Sequence, residues 1–136
     1  MTEATPSEIG AAAERELAHA LSCLGYDIYV PMFMPHSRID FIAAQGAETV
    51  RVQVKSARLV GDAVVFHTCS YTGNQARRYE GEVDAFGVYS PDLGTCCLVS
   101  NTDLSTRGCY LRTAPPRNNQ RKGIRWARDY LIGPGT

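Results

Sequence analysis

The stretch Val50-Arg51-Val52-Gln53-Val54-Lys55 alternates apolar and polar side chains without a break. Side chains of an extended strand point to opposite faces in turn, so the three valines share one face and Arg51, Gln53 and Lys55 share the other. That pattern commits the chain to a sheet with a core on its valine side. The other side carries an amide oxygen and an ammonium group two residues apart. Upstream, Arg38-Ile39-Asp40-Phe41-Ile42-Ala43 reads as a second short strand, with Asp40 facing away from Ile39 and Phe41. A lone carboxylate, an amide and an ammonium so arranged suit a divalent-metal site that cuts phosphodiesters. An ordinary strand with one wet face also carries glutamine and lysine, so alternation alone leaves both readings open.

Lysine usage adds to the first reading. Of the 14 lysines and arginines, only Lys55 and Lys122 are lysine. Arginine is a planar fork that keeps its proton, whereas lysine is a compact point charge. Lys55 therefore marks a position where a point charge is wanted.

Thr5-Pro6-Ser7-Glu8 carries the marks of a helix start: a capping hydroxyl, a proline in the first turn and a glutamate three residues on. The predicted helix runs from about Pro6 to Leu24 and stops at Gly25. Leu17, Leu21 and Leu24 share its apolar face. At about 100° per residue Glu14 lies on the edge of that face beside Leu21, while Glu16 points farther away. An acid at that edge either reaches a cleft between helix and sheet or pairs with a surface arginine.

Strands are predicted over Tyr26 to Val30, Arg38 to Ala43, Val50 to Ala57, Ala63 to Thr68, Val83 to Tyr89, Thr95 to Ser100 and Cys109 to Thr113. Turn formers such as Gln45-Gly46 and Gly61-Asp62 separate them. Tyr71 to Gly81 reads as a loop or short helix, Pro115-Pro116 breaks the chain, and Ile124 to Leu131 reads as a final helix. Together these elements predict a mixed α/β (α+β) fold on one sheet, a single domain over 1–136.

A chain of 136 residues holds one domain with a real core and is too short for two comfortable ones. Its apolar runs are far short of a membrane span and its start lacks the apolar core of a signal peptide, so a cytoplasmic protein is expected. Five cysteines offer no zinc spacing, and adjacent Cys96 and Cys97 read as buried reduced thiols rather than as redox groups. The formal net charge is zero, yet its distribution is uneven. Between Arg107 and Arg128 stand seven basic residues and no acid; before Val50 stand seven acids and two arginines. A neutral total thus hides a basic segment, 107–128, and an acidic region, and binding follows the local field. Solvated surface arginines give the same count.

Asp40, a gap of 12 residues and then Gln53-Val54-Lys55 resemble the signature of the PD-(D/E)XK nuclease superfamily. The likeness is to the branch in which glutamine replaces the second acid, which includes an intron-encoded homing endonuclease; the pattern also resembles archaeal Holliday junction resolvases. It extends over most of the chain. Ile9-Gly10 with Glu14, Leu24-Gly25-Tyr26 and Val30-Pro31 resemble the opening helix and first strand of that branch. Residues 51–58, 79–84 and Val88-Tyr89 resemble its middle, and 115–127 its C-terminal signature. Isoleucine stands where the superfamily has proline before Asp40, and the usual helix between the third and fourth core strands is not evident.

This resemblance implies a restriction-endonuclease-like core, a central mixed sheet flanked by helices, and magnesium-dependent cleavage of DNA, with manganese as a substitute. It implies four catalytic positions, Glu14, Asp40, Gln53 and Lys55. Asp40, Gln53 and Glu14 would hold the metal, and Lys55 would orient or help deprotonate the attacking water. Gln53 in place of an acid lowers the charge of the site by one and weakens its grip on a cation.

The candidate DNA contacts are Arg58, Arg77, Arg78, Arg117, Asn119, Arg121, Lys122 and Arg125. Arginine bonds guanine or phosphate bidentately, and asparagine or glutamine pairs with adenine. Asn118-Asn119 suits a turn equally well, Trp126 and Tyr130 read as core anchors, and Asp84 as structural. One domain offers one cutting site, so a homo-oligomer, dimer or tetramer, is expected for a two-strand cut. No organic cofactor and no membrane association are expected. Homing or restriction-like cleavage of duplex DNA leads; junction cleavage, or a DNA-binding module without catalysis, are the alternatives.

Overall fold

The computed structural model describes residues 4–34, 37–67, 69–72, 75–78, 83–101, 108–114 and 124–132. Helix α1 (Pro6–Cys23) begins as its first residues dictate. Thr5 Oγ1 accepts the Glu8 N–H at 3.2 Å, satisfying one of the free donors of the first turn, and proline fills a position with no N–H to lose. The helix ends at the Leu24 cap, and Gly25 follows at φ 96°, a left-handed turn that favours glycine. Ala13, Leu17, Ala20 and Leu21 are buried along one face; Leu24, expected with them, is the cap and stands exposed.

Among the described residues twelve strands follow: β1 (Asp27–Tyr29), β2 (Phe41–Gln45), β3 (Glu48–Ser56), β4 (Arg58–Val60), β5 (Ala63–His67), β6 (Cys69–Thr72), β7 (Gln75–Arg78), β8 (Ala85–Ser90), β9 (Thr95–Ser100), β10 (Gly108–Arg112), β11 (Arg125–Trp126) and β12 (Leu131–Ile132). Six form the main sheet in the order β1-β2-β3-β8-β9-β12, four a second sheet in the order β11-β10-β5-β4, and β6 and β7 a hairpin. In the main sheet β3 and β8 are parallel and the other pairs antiparallel, so the sheet is mixed.

Two cores hold the layers together. Val52 and Val54 of β3, Phe41 and Ala43 of β2 and Cys96 of β9 pack against the buried face of α1. On the other side of the main sheet, Phe86, Val88, Cys97 and Val99 meet Val64, Phe66, Cys109 and Leu111 of the second sheet. Each fully buried Phe, Leu or Val contributes about 1.5–3 kcal/mol. Gly87 lets α1 lie close: a Cβ there would come within 2.8 Å of Leu17 Cδ1 and 2.9 Å of its Cγ.

The mixed α/β class holds, but several details change. A second sheet, not a second long helix, covers the far face of the main sheet, so the single sheet flanked by helices is not what the described residues form. Between β3 and β8 the described residues are the strands β4 to β7; the run Ala63-Val64-Val65-Phe66-His67 is rich in residues that favour strands. Tyr71 to Gly81, read as a loop or short helix, begins within the β6–β7 hairpin. The final helix is absent. Arg125–Trp126 pairs with β10, Ala127–Asp129 makes one 3-10 turn, and Leu131–Ile132 pairs with β9, so neighbouring strands override local helix preference.

Trp126 is half-buried beneath the Arg128 guanidinium, 4.8 Å from the ring centre, while Tyr130 packs against the second core. Cys96, Cys97 and Cys109 are free and buried, and burial is the first cause pushing each thiol up to about 11. Among the described residues no helix is long and apolar enough to cross a membrane.

Candidate active site

Asp40 lies one residue before β2 rather than inside a strand, and this places its carboxylate. Its N–H donates to the Val52 carbonyl at 2.8 Å, continuing the ladder that begins at the Phe41–Val52 pair. The next donor on β3, the Val54 N–H, finds Asp40 Oδ2 at 2.7 Å. The side chain thus stands where a further strand carbonyl would, in the plane of the sheet at the end of β2.

A group in that position is reachable from both faces. Val52 and Val54 point toward α1, so alternation sends Gln53 and Lys55 to the opposite face. Glu14 approaches Asp40 from the helix side, close enough to raise its carboxyl. Lys55 acts on Asp40 through its positive charge. Glu14 and Lys55 thus act on Asp40, and the β2–β3 register carried one step past the Phe41–Val52 pair sets Gln53 opposite it.

The electrostatics of this point are strained. Burial is the largest influence on Asp40 and raises its carboxyl; the Val54 N–H lowers it; Glu14 raises it again, and Lys55 lowers it. The result is a carboxyl pushed up from 3.8 to about 7. Beside it Gln53 Oε1 is buried and has no hydrogen-bond partner. A carbonyl left so costs about 1–3 kcal/mol.

Both strains have one remedy. Two crowded carboxyls and an unmatched amide oxygen are hard oxygen donors, the set that magnesium or calcium takes. Among the described residues no three His, Cys, Asp or Glu side chains cluster as a metal site; the oxygen donors here are two carboxyls and an amide. The residues present fit a divalent cation.

Arg51 shares the polar face of β3 and has a separate task. Its Nε and Nη2 donate to Asp84 Oδ2 and Oδ1 at 3.1 and 2.9 Å, and its backbone N–H donates to Oδ2 at 2.8 Å. This clamp ties β3 to the residue preceding β8 and holds the Asp84 carboxyl below its usual range. Asp84, read from the sequence as structural, makes this clamp.

The candidate DNA contacts separate. Arg58 is exposed on β4 and lines a cleft of about 490 Å³ with Pro6, Ile9 and Gly10 of α1 and Ser56 at the end of β3. Arg125 is half-buried on β11, at the opposite edge of the second sheet, with its charge acting on Cys109. The structure does not bring these two together. Arg77 and Arg78 lie on β7. Arg117, Asn119, Arg121 and Lys122 fall outside the described residues. One feature escaped motif and periodicity alike, an exposed Met32-Phe33-Met34 tip just after β1. Its signal in the sequence was three large apolar residues bracketed by Pro31 and Pro35.

A mixed sheet with an aspartate at a strand end and a glutamine and a lysine on the next strand defines a nuclease-like α/β protein. Residues 5–132 match the model of the PD-(D/E)XK endonuclease family, and the chain belongs to that family. A bacterial homing endonuclease, I-Ssp6803I, has a similar fold: TM-score 0.74 at 14% identity, over 94% of this chain and 89% of that one. No curated protein matches the chain.

Proposed function

We propose that the chain is a divalent-metal-dependent DNA endonuclease that cuts duplex DNA, with Glu14, Asp40 and Gln53 as metal ligands and Lys55 as the catalytic cation. One observation carries this reading: the buried, unpartnered Gln53 Oε1 near a carboxyl that burial, with Glu14 adding to it, pushes up to about 7. Magnesium, with manganese as a substitute, would supply positive charge that activates water and takes up charge developing on the phosphoryl oxygens.

The chain's own residues do the remaining work. Asp40, anchored by the Val54 N–H, holds its carboxylate in a fixed place. Gln53 adds a neutral oxygen, so the site carries less negative charge to repel a phosphodiester than three acids would. Lys55 points its N–H donors at the attacking water and the phosphoryl oxygens, stabilising negative charge as it forms. Arg58, exposed at the cleft beyond β3, holds a flanking phosphate.

Membership of an endonuclease family and the fold shared with a homing endonuclease favour a duplex substrate over a junction. A cut through both strands needs two such sites, so the working form is a homo-oligomer, at least a dimer.

The test is cleavage of supercoiled plasmid and of a synthetic four-way junction, in magnesium or in chelator, by wild type and Lys55→Ala. Metal-dependent cutting of the plasmid that disappears in the variant is the expected outcome. Preferential cutting of the junction would replace the duplex reading with a resolvase. DNA binding without cutting of any bound duplex would leave a binding module and refute the assignment of catalysis.

A further inference from the structure

Six consecutive apolar residues, Tyr29-Val30-Pro31-Met32-Phe33-Met34, all stand exposed where β1 leaves the main sheet. Tyr29 is 59% exposed, Val30 70%, Met32 83%, Phe33 82% and Met34 66%. At roughly 200 Å² for a large residue, these five together present roughly 700 Å². A standard subunit interface takes about 600–1,000 Å² from each side. A contiguous apolar patch of this size marks a surface that meets another molecule.

Charge says which molecule. Between Leu24 and Met34 the one charged residue is Asp27. A surface for duplex DNA or for anionic lipid carries lysine or arginine, and this one has neither. Tyr, Phe and Met are enriched at protein interfaces, whose centres are depleted of charge. The patch also flanks a sheet edge. β1 comes first in the order of the main sheet, so its outer edge has no strand partner among the described residues. Such edges need a cover or a partner.

The patch borders the candidate active site. Ile28 packs with the core under α1, so alternation turns Tyr29 to the opposite face, the one that carries Gln53 and Lys55. Tyr29 pairs with Ile42, two residues past Asp40. Cross-strand partners lie about 4.5–5.5 Å apart and a residue spans at most about 3.6 Å, which puts the Asp40 Cα within roughly 13 Å of the Tyr29 Cα.

We propose that Tyr29 to Met34 is the face on which a second copy of this chain docks, related by a two-fold axis and walling the candidate active site on its β1 side. The proposal rests on the endonuclease reading, which asks for two sites on one duplex. In a two-fold contact one self-complementary apolar patch serves both partners. Because Asp40 lies so near the patch, the partner brings a second Asp40 onto the same duplex. The pair cuts both strands, whereas a single copy nicks one.

The test is Phe33→Glu in the full chain, followed by sedimentation over a micromolar concentration series. Wild type should sediment at an even multiple of the chain mass and the variant at half that mass. Self-association should weaken at least about hundredfold, because the two-fold axis sets like charges against each other. Phe33→Leu should keep the wild-type mass. On supercoiled plasmid in magnesium, wild type should give linear product and Phe33→Glu nicked circles. If Phe33→Glu fails to fold, Val30→Cys supplies the measurement. Its thiol should be shielded from maleimide at concentrations where the chain is oligomeric and labelled below them; equal labelling at both would overturn the contact. A wild type that is a single chain at every concentration, or an oligomer that Phe33→Glu leaves intact, would overturn it too, and metal-dependent cutting would still leave the nuclease standing. With a single-chain wild type, weaker duplex binding by Phe33→Glu would make DNA the occupant, and retention on anionic vesicles a membrane. An oligomer that Phe33→Glu breaks, with no cutting by either protein, would keep the interface and refute the endonuclease reading.

Discussion

Replacing Asp40 by asparagine should make the metal-free protein more stable at alkaline pH, although it removes the central candidate ligand. The folded carboxyl releases its proton at about 7, the unfolded one near 3.8. Through that window the folded state keeps a proton that the unfolded chain has lost, so stability falls as pH rises from 3.8 to about 7. At about 1.36 kcal/mol for each tenfold, this rise corresponds to about 4 kcal/mol for a group shielded from water. Asp40 is only half-buried, and solvent screening halves the figure to about 2 kcal/mol.

Asparagine keeps an oxygen for the Val54 N–H and has nothing to ionise. Asp40→Asn should therefore match wild type near pH 4 and exceed it by about 2 kcal/mol at pH 8. For a chain of this size that is a melting-temperature gain of roughly 6–8 °C. The assay is urea unfolding in chelator across pH 4 to 8, followed by the same series in magnesium. Cation at 100 times its Kd adds about 2.7 kcal/mol to a protein that binds it; wild type should gain this and Asp40→Asn should not. A variant less stable than wild type at pH 8, or a difference that ignores pH, would refute the crowded-carboxyl picture and with it the metal fit.

Gln53→Glu should bind magnesium or calcium at least about tenfold more tightly by titration calorimetry, because an ionised oxygen replaces a neutral one; unchanged affinity would remove Gln53 from the ligand set. Gly87→Ala should cost about 1–3 kcal/mol, since its Cβ would collide with buried Leu17. Cleavage should fall with it as Glu14 shifts away from Asp40, and a neutral effect on both would show that α1 has slack. Cys23 should react with a maleimide at pH 7.5 while Cys96, Cys97 and Cys109 resist until urea is added, as mapped by peptide mass spectrometry; the first is exposed and the others buried with thiols near 11.

Local rules carried α1, the strand β3 and the residues of the candidate site. Thr5-Pro6 and Gly25 bound the helix through interactions confined to a few neighbours, and unbroken alternation from Val50 to Lys55 is a strand in almost any context. The types and spacing of Asp40, Gln53 and Lys55 were visible for the same reason. Their geometry was not. That Asp40 sits one residue outside β2, its carboxylate standing in for a ladder carbonyl to Val54, depends on where the antiparallel register stops. That Glu14 meets Asp40 depends on how closely α1 packs over Gly87. The failed final helix has a like cause, since the partners of 125–126 and 131–132 are β10 and β9, both earlier in the chain. Local sequence thus determined which residues bear chemistry and which segments are regular. Contacts between distant segments decided which groups meet, what is buried, and how far Asp40 is pushed from an ordinary carboxylate.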